Sequence, residues 1–155
     1  MITIEIPGRA PVTIGSLVLD YNGTIARDGL LLEEILPRIE ALRERLDIYI
    51  LTADTYGTVT RQCASLGVAM RTFPRENAAA CKEEIVRGLG GGVFAVGNGF
   101  NDIPMFDAAD LAVAVLEREG LCAGLLPHAD VLVTSPADAL DLLLCPDRLR
   151  ATLRS

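Results

Sequence analysis

The chain has little histidine, almost no lysine, no excess of positive charge and no long apolar run. His128 is the only histidine among 155 residues, which excludes a catalytic triad or zinc cluster built from several imidazoles. In LLPHAD, near a helix end and without a partner motif, it reads as non-catalytic. Fourteen basic residues against twenty-one acidic ones give a net charge of −7, whereas a sequence-independent nucleic-acid binder needs a basic face. No apolar run approaches the length of a membrane span, and MITIEIPGRAP lacks the charged start and long apolar stretch of a signal peptide. The expected partners therefore include no nucleic acid and no membrane. Cys63, Cys81, Cys122 and Cys145 are widely spaced, without metal-ligand spacing, and read as reduced thiols of a cytoplasmic protein. Lysine is the sharpest scarcity: beside thirteen arginines stands Lys82 alone. It is either a chance surface residue or a position where a compact ammonium serves and a planar fork does not.

What is present is apolar and rhythmic. Half the residues are hydrophobic, enough for one domain over residues 1–155 with its own core. TIEI and PVTI, joined by Pro-Gly-Arg-Ala, read as a small N-terminal β-hairpin. SLVLD, DIYILT, VAMRTF, VFAVG, LAVAV and DVLVT then alternate with helical stretches around LPRIEALRERL, TVTRQCASLG, NAAACKEEIVRGL, NDIPMFDAA and PADALDLLLC, with a short helix before DVLVT. Short apolar runs between amphipathic helices predict an α/β fold: a three-layer Rossmann-like sandwich with helices on both faces of a central parallel sheet.

Ligands in such sheets bind beyond the carboxyl ends of the strands. Asp20 follows LVL, Thr52 and Asp54 follow YIL, and Asn98, Asn101 and Asp102 follow FAV. A parallel sheet gathers all of them on one rim, and the helix holding Lys82 can start there. Carboxylates, carboxamides, a hydroxyl and one ammonium are the makings of a phosphate and magnesium site.

DYNGT, LTAD, the isolated Lys82 and GNGFND resemble, in order, the four motifs of the haloacid dehalogenase (HAD) superfamily of phosphoryl-transfer enzymes, over roughly residues 16–145. The chain looks like the phosphorylation domain of P-type ATPases in a stand-alone form. The resemblance implies that Asp20 is the nucleophile and becomes an aspartyl phosphate. It implies Mg²⁺ as cofactor, held by Asp20, the carbonyl of Asn22, Asn98 and Asp102, the last orienting either the metal shell or Lys82. Thr52, Ala53, Gly23 and Lys82 would bind the phosphoryl oxygens, with Lys82 also neutralising charge at the nucleophile. Gly23 would permit the tight turn, and Thr24 and Asn101 would support the site.

Two departures from the family pattern stand out. Phosphatases of the family carry a second aspartate two residues after the nucleophile, as acid and base; here it is Asn22, which has no usable proton, so general acid–base help of ~10²–10⁴-fold is missing. The first residue of the fourth motif, usually a magnesium-binding aspartate, is Asn98, a neutral oxygen ligand. Spacing excludes further parts. Residues 25–51 separate Thr24 from Thr52, and 55–81 separate Asp54 from Lys82. Each gap is filled by a strand and a helix, leaving no room for a cap domain or for the ATP-binding insert of the pumps. An uncapped site needs a large substrate or a neighbouring subunit to exclude water, so a homo-oligomer is expected.

The reading is thus a slow, capless, magnesium-dependent phosphohydrolase acting on a phosphorylated substrate. The alternative is a protein that keeps the fold and binds phosphate, metal or a partner without efficient turnover. A receiver domain would need an acidic pair early in the chain, where only Glu5 is offered. A dinucleotide-binding fold would need Gly88, Gly90, Gly91 and Gly92 after a strand, and they precede one; their simpler role is to end a helix. Asp54 either reaches the rim or caps the next helix with Thr55. Asp107 and Asp110 read as solvated, Phe100 and Met105 as packing, and Tyr21 is left open between substrate contact and structure.

Overall fold

The computed structural model describes residues 1–53 and 57–155. Strands β1 (Ile2–Ile4) and β2 (Val12–Ile14) form the antiparallel N-terminal hairpin. The main chain rhythm then runs β3 (Ser16–Asp20), α1 (Leu36–Leu42), β6 (Asp47–Thr52), α2 (Thr58–Cys63), β7 (Ala69–Thr72), α3 (Ala78–Gly88), β8 (Val93–Gly97), α4 (Ile103–Ala108), β9 (Leu111–Val115), β10 (Val131–Val133) and α5 (Pro136–Leu144). Sequence patterning does not anticipate three elements. These are the short pair β4 (Ala26–Arg27) and β5 (Leu30–Leu31) behind the first strand, and α6 (Asp147–Leu153). The glycines after Gly88 join α3 to β8, as a helix-ending role requires.

Six strands form one parallel sheet in the order β10-β9-β8-β3-β6-β7. The chain builds outward from β3 to β6 and β7, then returns to the other side of β3 for β8, β9 and β10. This is the doubly wound order, and its switch point lies between the carboxyl ends of β3 and β8.

The period of two explains why the strands read as unbroken apolar runs. Leu17, Leu19, Ile48, Ile50, Phe94, Val96, Val113 and Val115 point to one face, against α1, α2, α5, α6 and the hairpin. Val18, Leu51, Ala95, Ala112 and Ala114 point to the other, against α3 and α4 through Ala78, Val86, Met105 and Phe106. Alanines on that second face let α4 sit close to the sheet. Local signals agree with the layers: Ser135 Oγ caps α5 by accepting the Asp138 N–H at 3.0 Å, and Pro136 opens the helix. No cap domain interrupts the described residues, and no helix among them is long and apolar enough to cross a membrane.

Candidate functional site

Asp20 closes β3, with β6 on one side in register with Leu51 and β8 on the other. It is buried. The chain leaves it through a tight turn in which the Tyr21 carbonyl accepts the N–H groups of Thr24, Ile25 and Ala26. Gly23 holds φ +76°, and a Cβ there would run into the Asn98 side chain; only glycine fits.

Lys82 reaches the same point from α3. Side chains on a helix tilt toward its N-terminus, so a lysine in the second turn delivers its ammonium to the rim where the helix begins. Lys82 is 3% exposed. Its Nζ donates to Asp20 Oδ1 at 2.7 Å, Asp102 Oδ1 at 2.7 Å and Asn101 Oδ1 at 3.0 Å. Three ammonium protons meet three acceptors. Arginine could not replace that convergence, because its donors lie in one plane.

Asp102 is fully buried, and its other oxygen accepts the N–H groups of Asn98 and Gly99 at 3.0 and 2.9 Å. A Cβ on Gly97 would stand 2.5 Å from that oxygen, so glycine there permits the turn to fold over the carboxylate. Of the two roles expected for Asp102, orienting Lys82 is the one its contacts serve. Its oxygens are engaged by Lys82 and by the Asn98 and Gly99 N–H groups, and it does not line the cavity.

Thr24 Oγ1 lies 2.9 Å from Asp20 Oδ2 and 3.2 Å from Asn98 Oδ1, which brings the strand ends of β3 and β8 together through one hydroxyl. Asn98 is fixed from the other side: its Nδ2 donates to the Gly120 carbonyl at 3.1 Å, and its own carbonyl accepts the Cys122 N–H at 2.9 Å. The segment after β9 is in turn tied to the β4–β5 pair by Arg27–Glu117 at 2.5 Å and by the Asp28 N–H on Glu119 at 3.2 Å. Thr52 ends β6 with its hydroxyl buried and, among the described residues, without a hydrogen-bond partner. Leaving such a group unpaired costs about 1–3 kcal/mol.

Burial raises Asp20 to about 7, helped by the nearby Asp102 carboxylate and opposed by Lys82 and the Thr24 hydroxyl. Burial also works against the Lys82 charge, but Asp20 and Asp102 outweigh it and lift the ammonium above the usual lysine value. Two carboxylates share one cation, so the site is short of positive charge.

These groups open on a cavity of about 470 Å³. Asp20, Asn22, Lys82, Asn98 and Asn101 supply its polar lining, and Ala53, Phe73, Ala78 and Phe100 its apolar lining. The fold thus assembles Asp20, Asn22, Ala53, Lys82, Asn98 and Asn101 around one space, with Thr24, Thr52 and Asp102 buried behind it. Gly23, expected among the phosphate-binding residues, is not on the cavity lining, and its N–H is donated to the Ala26 carbonyl at 3.0 Å within the turn. Asp54 and Thr55 lie outside the described residues.

Other expectations resolve plainly. Tyr21 is structural: it is buried, and its hydroxyl lies 3.0 Å from Gly29 O and 3.1 Å from Gln62 Oε1, its one proton serving these two acceptors. His128 bonds to Asp107 at 2.7 Å, with no contact to the site. Asp110 is exposed as expected, yet it accepts the Val93 N–H at 2.7 Å and anchors the start of β8. Met105 is core packing. Phe100 is not: it is 74% exposed and lines the cavity. The signal was its place, an apolar side chain inside the polar turn GNGFND at a strand end. The Asn98–Gly120 tie carried no sequence signal.

No family model matches the chain. It is 29% identical over 136 residues to a soluble P-type ATPase-like phosphatase of Methanocaldococcus jannaschii, covering 82% of this chain and 50% of that protein. The chain therefore spans half the length of that relative. Among solved structures, one described as a HAD family hydrolase from Streptomyces avermitilis aligns with TM-score 0.69 at 23% identity, over 91% of this chain and 92% of the other. The 3-deoxy-D-manno-octulosonate 8-phosphate phosphatase of Moraxella catarrhalis, solved with magnesium, phosphate and the sugar acid, aligns with TM-score 0.71 at 17% identity, over 91% and 94%. With four motif segments meeting at the switch point of a doubly wound sheet, the chain has the fold of haloacid dehalogenase family hydrolases and is similar in sequence to a soluble P-type ATPase-like phosphatase.

Proposed function

We propose that the protein is a magnesium-dependent phosphohydrolase in which Asp20 accepts the phosphoryl group. The observation that carries this reading is the Asp20–Lys82 pair at 2.7 Å on the wall of the cavity. An Asp20 carboxylate oxygen attacks phosphorus, the bond from phosphorus to the ester oxygen breaks, and the leaving group departs with that electron pair. Water then cleaves the aspartyl phosphate to return Asp20 and inorganic phosphate. Lys82, held by Asp102 and Asn101, stands where charge develops and needs no reorganisation to meet it. Asn22 lines the cavity at the place of the family's acid but cannot give a proton, so departure of the leaving group is unaided.

The donor set fits a hard divalent cation. Asp20 and Asn98 present oxygens within reach of the same Thr24 hydroxyl, and the Asn22 carbonyl lies in the adjoining turn. No cluster of three histidine, cysteine or acidic side chains exists among the described residues. Magnesium would thus rest on one carboxylate, neutral oxygens, water and the phosphate itself. When bound, it supplies positive charge that a site with two carboxylates and one ammonium lacks. The phosphatase names of the sequence relative and of the magnesium-bound structural neighbour support the same reading.

A homo-oligomer that shields the open cavity is part of this proposal, as is a cytoplasmic location. The second reading, binding without turnover, draws on Asn22 and Asn98, the two amides in place of family carboxylates. Acid-quenched protein incubated with acetyl phosphate and magnesium separates the two. The expected result is a phosphoryl group on the peptide holding Asp20, absent in Asp20→Asn. Wild type that binds magnesium and phosphate without forming that species refutes turnover and leaves the binding protein.

A further inference from the structure

We infer that Phe100 is a specificity-determining residue: its ring forms the wall on which the leaving group of the substrate lies, and that leaving group is aromatic and uncharged. This rests on the phosphohydrolase reading and names its substrate class, a phosphate ester of a phenol.

The position of Phe100 is the first argument. The chain has four phenylalanines, and Phe73, Phe94 and Phe106 are buried. A single exposed aromatic ring is unremarkable in itself. This one lines the cavity that holds Asp20, and its backbone is fixed. Gly99 before it donates its N–H to Asp102, and Asn101 after it accepts a proton of Lys82. The residue therefore sits on the same lining as the nucleophile, with Phe73 and Ala78.

Charge is the second argument. Among the described residues, the charged side chains on the lining are Asp20 and Lys82, and all three protons of Lys82 are already taken. Residues 54–56 are Asp, Thr and Tyr, which add no cation. Arg27, near the β4–β5 pair, is committed to Glu117. A leaving group carrying a carboxylate or a second phosphate would find no uncommitted cation among these lining side chains. That argues against acidic sugars and nucleoside polyphosphates.

Chemistry is the third argument, independent of the first two. Without an acid at Asn22, the ester oxygen must leave as an anion. A phenolic oxygen, with a pKa of about 10, does so far more readily than an alkoxide, and its ring is the shape that stacks on phenylalanine.

The test needs no turnover. Phenylphosphonate and methylphosphonate resist hydrolysis and differ by the ring, and calorimetry in magnesium, at a pH alkaline enough to ionise both fully, measures both on the full chain. Wild type should bind phenylphosphonate about tenfold more tightly, the equivalent of about 1.4 kcal/mol. Phe100→Ala should reduce that preference to within twofold, and Phe100→Trp should preserve or enlarge it. Equal affinity of wild type for the two ligands overturns the inference. So does Phe100→Ala weakening both alike, which would make the ring a prop for the turn. A loss of oligomer mass in Phe100→Ala with the preference unchanged overturns it in favour of an interface. If neither phosphonate nor inorganic phosphate binds, the phosphohydrolase reading has failed first. If the preference stands and no phosphoenzyme forms, the ring site survives in a protein that binds without turnover.

Discussion

Replacing Lys82 by methionine tests how the buried charges hold together. The variant keeps the length and apolar stem of the side chain but removes the cation 2.7 Å from both Asp20 and Asp102. Two carboxylates and the Asn101 carbonyl then lose their common donor in a largely buried site. Removing one partner of a buried pair costs about 3–5 kcal/mol. At about 2–4 °C per kcal/mol for a domain of this size, the metal-free variant should melt roughly 6–20 °C below wild type at pH 8. The loss should depend on pH. Burial already raises Asp20 to about 7 with the ammonium in place, and its removal raises it further. A carboxyl raised on folding favours the folded state below its unfolded pKa, and that advantage is lost as pH climbs through the folded value. The melting deficit should therefore be small near pH 5 and grow toward pH 8. Calorimetry at both pH values measures it. Asp102→Asn in the same chain should recover part of the loss, because one orphaned charge is gone. A Lys82→Met protein that melts within about 2 °C of wild type at pH 8, or shows no pH trend, refutes the charge-sharing account.

Catalysis should be hit harder than stability. Lys82→Ala should lower turnover by at least ~10²-fold, and Lys82→Arg should restore it only in part, as initial rates on an aryl phosphate will tell. Asn22→Asp should restore a proton donor, accelerating alkyl phosphates more than aryl ones and narrowing the gap between them. Intact mass should first establish that Asn22 and Asn98 are undeamidated; the following amides of Gly23 and Gly99 are hydrogen-bonded, so freshly prepared protein should be homogeneous. Asn98→Asp should bind magnesium more tightly yet melt lower without it, because a carboxylate oxygen would replace the N–H now on the Gly120 carbonyl, at a cost of about 1–3 kcal/mol. Light scattering should find an oligomer whose interface lies near the rim; a monomer at high concentration would leave the open cavity to macromolecular substrates.

The layered fold and the place of the site were legible in the sequence because both follow from local chemistry. A strand buried on both faces must be apolar along its length, so LVL, YIL and FAV declare themselves, and the polar residues that end them fall on one edge of any parallel sheet. A lone lysine among thirteen arginines points to a position where an ammonium fits and a guanidinium does not. Residue type also placed Asn22 at the acid position, whatever the exact shape of the turn. What the sequence alone could not decide was direction. Tyr21 follows the nucleophile directly yet turns into the core, because Gly29 and Gln62, distant along the chain, meet its hydroxyl there. Phe100 and Met105 look alike as apolar residues near one turn, but one faces the cavity and the other the sheet, because the turn folds around Asp102 before α4 begins. The Gly23 N–H goes to the Ala26 carbonyl, and Asn98 gains an anchor in Gly120. Each outcome depends on which distant group satisfies a buried donor or fills a given space, and tertiary packing alone settles that competition.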